Sequence, residues 1–141
     1  MKRFVFVLAT ALLFFSMCSS SKGIPVESNW VLEYIYSNGQ EILPPEDHSP
    51  TLAFLKESKI AGETGCNRFF GDYKLEGAEL RFENIGSTRM MCPQMQFETS
   101  FMETISNTAS YSIDNNRLAL KDSAGNIIAL LKKIEPQALE N

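Results

Sequence analysis

Histidine is nearly missing from these 141 residues: His48 is the only one. A zinc site built on His and Cys ligands therefore lacks its ligand count. A Ser/His/Asp set would have to be built on His48, which lies next to acidic residues in a proline-rich stretch, so nucleophilic hydrolase chemistry is not expected. The carboxylates are scattered and define no spaced pair for glycoside chemistry. The chain reads as non-enzymatic, and no cofactor is expected. Basic runs are missing too: 13 Lys and Arg stand against 17 Asp and Glu. That balance repels a polyanion, so nucleic acid is excluded as a partner. No apolar run reaches the roughly 20 residues of a transmembrane helix. There is no long internal repeat.

What is present begins with an export signal. Met1-Lys2-Arg3 precedes an apolar stretch from Phe4 to Phe15, followed by Ser16-Met17-Cys18. Two positive charges, a short apolar core and a small-residue region are the layout of a secretory signal. Cys18 sits where a bacterial lipoprotein is cut and acylated. Phe15 and Met17 depart from the usual lipobox, so a soluble secreted protein is the alternative. The expectation is a signal peptide over 1–17, a lipid anchor on Cys18 and a polar tether over 18–28. A single domain follows over 29–134, with a polar tail over 135–141. Without Lys2 and Arg3 the net charge becomes −6. The expected location is the outer membrane or the periplasmic face of the envelope, with the lipid as the membrane contact.

Local alternation then predicts many short strands. Trp30 to Tyr36 opens the set, and Ser37-Asn38-Gly39 ends it. Glu41 to Pro50 holds three prolines and reads as a loop. Thr51–Leu55, Lys59–Gly62, Arg68–Leu75 and Glu79–Glu83 follow, with a further short strand near Ile85–Thr88. After Cys92 the period changes: Phe97, Phe101 and Ile105 recur every four residues, which predicts one amphipathic helix with Pro93 at its first position. Three more strands, near Tyr111, Leu118 and Ile128, close the pattern. The fold class is mainly β (α+β): an antiparallel sheet curled into a small barrel, with the helix covering one opening.

Two loops concentrate the unusual residues. Gly65-Cys66-Asn67-Arg68-Phe69-Phe70-Gly71-Asp72-Tyr73 carries one cysteine, and Gly86-Ser87-Thr88-Arg89-Met90-Met91-Cys92 carries another. With Cys18 lipidated, Cys66 and Cys92 remain as an even pair, either a disulfide or two buried thiols. A disulfide would contribute about 3 kcal/mol. Gly62, Gly65 and Gly71 with Asn67 read as a structural corner; an anion cradle is the sharper alternative, but the Lys of phosphate loops is missing. Met90, Met91, Cys92 and Met95 could bind Cu(I) through soft sulfur, or could fill core gaps. Glu98 borders the helix stripe and is expected to pair with Arg68 or Arg89, or else to serve as a functional carboxylate.

Together these segments resemble the signature of the META/HslJ family, with the Trp30 strand, Ile60-Ala61-Gly62, Glu98 and Leu118-Ala119-Leu120 as further matches. Asp72 stands where a Ser or Asn is more usual. The resemblance implies a lipocalin-like β-barrel and a stress-related envelope role, linked to heat shock and novobiocin resistance, with no defined activity. A small barrel with one helix can leave an apolar groove between helix and sheet. Its candidate lining is Phe97, Phe101, Met102 and Ile105, the alternative being an ordinary core. The candidate partners are a hydrophobic ligand or an envelope protein engaging the loop from Glu41 to Pro50.

Overall fold

The computed structural model describes residues 23–135. Cys18, the signal segment and the polar tail after Glu135 lie outside the described residues. Nine strands and one helix follow in chain order: β1 (Ser28–Ser37), β2 (Gln40–Ile42), β3 (Thr51–Phe54), β4 (Lys59–Glu63), β5 (Arg68–Glu76), β6 (Glu79–Ser87), α1 (Met95–Asn107), β7 (Ser110–Asp114), β8 (Arg117–Lys121) and β9 (Ile127–Ile134). Every pairing is antiparallel. The sheet runs β1-β3-β4-β5-β6-β7-β8-β9, and β9 returns to β1, so eight strands close into a ring. Closure leaves few unpaired edge groups. Strand β2 folds back on the end of β1 alone. It lies at the start of the stretch expected to be loop. Asn38 and Gly39 both take positive φ, 52° and 77°, the turn geometry that sends a hairpin straight back.

The ring is thin at one seam. β6 and β7 share a single register pair, Glu79 with Ser110. Between them the chain makes its one long excursion, residues 88–109, which carries α1. The helix begins at Met95, with Gln94 as its N-cap, so Pro93 lies in the preceding turn rather than at the first helical position. Cys92 is held by a disulfide, and the chain needs that turn to swing away into the helix. The strand expected near Ile85 is the continuation of β6, bent at Asn84, which takes φ 52°.

Inward side chains fill the ring. Trp30, Phe54, Phe69, Leu52, Ile60, Leu80, Leu118, Leu120 and Leu131 are fully buried. Phe101 and Ile105 of α1 join them, and the Phe101 ring meets Phe69 edge-on at 5.9 Å. The helix therefore closes one end of the ring as part of the core.

Two inward glycines are demanded by packing. A Cβ on Gly62 would run into the Phe69 ring, and one on Gly71 would lie 2.6 Å from Ile85 Cδ1 and 2.9 Å from the Glu83 carbonyl oxygen. Phe69 and Gly62 are cross-strand partners, so the ring occupies the space the glycine leaves.

The expected tether is corrected at its C-terminal end. Ile24 is buried in the core cluster. Ser28 accepts from Trp30 Nε1 at 2.9 Å and donates to the Pro25 carbonyl. An apolar residue and a bonded hydroxyl give residues 24–28 a place in the domain that their polar neighbours concealed.

Candidate functional site

The two signature loops meet at Asn67, which is 3% exposed. Its backbone closes a turn with Thr64: the Thr64 N–H donates to the Asn67 carbonyl at 2.8 Å, and the Asn67 N–H donates to Thr64 Oγ1 at 2.9 Å. Its side chain reaches the other loop. Oδ1 accepts from the Met90 N–H at 2.7 Å and from Thr88 Oγ1 at 2.8 Å. Nδ2 donates to the Met90 carbonyl at 3.2 Å and to both Glu98 oxygens, at 2.8 and 3.0 Å. One side chain thus joins β5, the start of the excursion and the first turn of α1. Such a fully partnered buried network fixes a single arrangement.

The disulfide runs beside it. Cys66 and Cys92 are bonded, with Cα atoms 6.3 Å apart. The corner reading of the Gly65 loop follows from the same geometry. Gly65 has φ +99° and lies against His48, whose carbonyl oxygen would be 3.1 Å from an added Cβ. The Thr64 and Asn67 amides are bonded within the turn rather than turned out towards an anion.

Several expected contacts differ. Glu98 pairs with Asn67, not with an arginine; Arg68 pairs with Glu63 at 3.4 Å instead. The Asn67 amide satisfies the carboxylate without burying a second charge. Met90, Met91 and Met95 are 56%, 86% and 44% exposed, so they do not fill the core. Cys92 is in a disulfide and offers no thiolate to copper. The helix stripe is not a groove: Phe101 and Ile105 are core, Phe97 and Met102 pack against it half-buried. Through Phe101 and Ile105 the excursion packs α1 onto the ring as part of its core.

The concave apolar surface lies elsewhere, on the outside of the ring. A groove of about 640 Å³ runs over β3, β4 and β5 and is bordered by the end of β9. Its floor is Thr51, Ala53 and Ala61, and its walls are Phe70 and Ile134. Arg68 and Glu63 stand at its rim, with Asn29 and Glu135 also lining it. Phe70 is 59% exposed and lies over Gly86, its partner on β6. Sequence reasoning passed over these residues. The available signal was alternation: with Phe69 inward, Phe70 must point out, and a large aromatic on an outward register is unusual.

A ring-shaped antiparallel sheet closed by one helix is a fold shared with known proteins. The family model of the META domain matches residues 24–135. The chain belongs to the META domain family. It is similar to heat shock protein HslJ of Escherichia coli (strain K12), 32% identical over 94 residues, covering 64% of each chain. The chain thus spans just under two thirds of that relative's length. Among solved structures it resembles a Burkholderia xenovorans protein studied by NMR, with TM-score 0.67 and 22% identity, covering 79% of this chain and 84% of that one. A second NMR structure shows TM-score 0.57 and 28% identity over 75% and 88% of the two chains. The Burkholderia likeness is one of fold alone.

Proposed function

We propose that this protein is a lipid-anchored, non-enzymatic binding module of the cell envelope that serves under stress and holds an acyl chain in its outer groove. The groove carries the reading. Its volume of about 640 Å³ falls within the range of ligand sites. Its small-residue floor and its exposed Phe70 and Ile134 walls offer apolar surface to something outside the ring.

The choice of an acyl chain follows from chain length. Ile24 is fixed in the core, and Cys18 precedes it by six residues. An anchor on Cys18 would hold the domain within roughly 20 Å of a bilayer, since an extended chain spans about 3.5 Å per residue. Asn29, a groove residue, lies five residues beyond Ile24. The stress role is supported by the similarity to heat shock protein HslJ. The non-enzymatic reading is supported by Asn67 and Glu98, whose side chains bond each other, with Asn67 bonded further to the Met90 backbone and to Thr88.

Binding of a fluorescent fatty acid to the purified protein tests this. The wild type should bind it, and Phe70→Asp should lose most of the affinity while keeping its thermal stability, because Phe70 is exposed. Equal binding by the two proteins would remove the groove from the account.

A further inference from the structure

The structure holds Met91 between two fixed points. On one side, both backbone polar groups of Met90 are bonded to the Asn67 side chain. On the other, Cys92 is joined to Cys66. The backbone here is clamped, yet the side chains of Met90, Met91 and Met95 face solvent, Met91 almost completely. Three exposed thioethers lie within six residues of sequence. A fourth, Met102, lies on the same helix as Met95 but is half-buried against the core.

We propose that Met90, Met91 and Met95 form an oxidant-modification site whose substrates are small two-electron oxidants of the hydroperoxide class. In each event the thioether sulfur attacks a peroxide oxygen. An S–O bond forms, the O–O bond breaks, and the displaced oxygen leaves as water or an alcohol after taking up the proton. Sulfur loses two electrons and the peroxide gains them. The product sulfoxide is polar, and reduction by a thiol-dependent reductase reverses the step. Because the clamp uses the backbone of Met90 and the sulfurs of Cys66 and Cys92, none of the three thioethers takes part in it. Oxidation therefore turns this surface from apolar to polar and leaves the fold in place. The inference is independent of the groove, which these residues do not line.

Limiting hydrogen peroxide applied to the purified, disulfide-intact full chain tests it, with peptide mapping by mass spectrometry and near-ultraviolet circular dichroism in parallel. Met90, Met91 and Met95 should each gain one oxygen severalfold faster than Met102, with the dichroism unchanged. In the variant M90L/M91L/M95L, this fast uptake should vanish while Met102 reacts at its original slow rate. Oxidation of Met102 at the rate of the other three would overturn the proposal. So would loss of the dichroism signal in step with oxygen uptake, which would make the modification damage rather than a site.

Discussion

Asn67 donates its side-chain amide to both carboxylate oxygens of Glu98, at 2.8 and 3.0 Å, across 31 positions of sequence. With the Met90 backbone and Thr88 on the same side chain, this contact fastens the helix-bearing excursion to the turn that opens β5. The two cysteine-bearing loops of this chain are thus held together by a clamp, while the groove floor lies on β3 and β4.

Replacing Asn67 with Ala strands the Met90 N–H and leaves Glu98 without its amide partner. Unfolding in urea should show a loss of about 3 kcal/mol, since each buried group left unpaired costs about 1–3 kcal/mol. Glu98→Gln retains an acceptor for Nδ2 and should cost less than half as much. A loss below about 1 kcal/mol for Asn67→Ala would mean that the clamp is redundant.

The Cys66–Cys92 bond closes a loop with a sequence separation of 26. The paired change Cys66→Ser with Cys92→Ser should lower stability by about 3 kcal/mol in the chain-entropy model. The domain should still fold, because Asn67 spans the same two loops. Thermal melts of the variant, set against reduced and oxidised wild type, check both parts.

Much of the ring was legible in the sequence. Alternation places Leu52, Phe54, Leu80 and Phe82 inward, and the four-residue spacing of Phe97, Phe101 and Ile105 marks the helix. What those patterns lack is a partner. Spacing says that Phe101 is on an apolar face; only the fold says that the face meets Phe69. Charge alone points Glu98 towards an arginine or a functional role, whereas the excursion delivers an amide 31 positions away. The exposed methionines were misread for a related reason. Apolar composition predicts burial, but the clamp at Met90 and Cys92 holds their stretch on the surface. The groove was missed because its floor, Thr51, Ala53 and Ala61, is defined by small side chains on outward registers, which carry little signal singly.

Phe101→Ala should cost about 3–5 kcal/mol, as for a large aromatic removed from a packed core. This distinguishes core from groove lining at that position. A cost under about 1 kcal/mol, together with altered ligand binding, would return the groove to the helix. Gly62→Ala should also destabilise, by roughly 1–3 kcal/mol or more, because the new methyl meets the Thr51 carbonyl oxygen and the Phe69 ring. Both values are read from urea transitions.

Asp72 accepts from Lys59 Nζ and from Asn84 Nδ2, the latter at 2.8 Å. The Lys59 contact first, and the Asn84 bond second, hold its carboxyl below the ordinary aspartate range. The native state then binds its proton less readily than the unfolded chain, whose aspartates titrate near ~3.9. The stabilisation is present above that value and is lost as pH falls through the lower native one. Wild type and Asp72→Asn should differ slightly in urea midpoint at neutral pH and converge in strong acid. Asp122 is held low in the same sense, chiefly by Asn126, and is common to both proteins. The difference between them therefore isolates Asp72.

Native mass spectrometry of the full chain purified from expressing cells in mild detergent, without reductant, tests the central claim most directly. The account predicts a bound mass beyond the covalent chain, released on collisional activation as a fatty acid or lipid, and absent from Phe70→Asp. A bare mass for the wild type, or the same released lipid from Phe70→Asp, would contradict it.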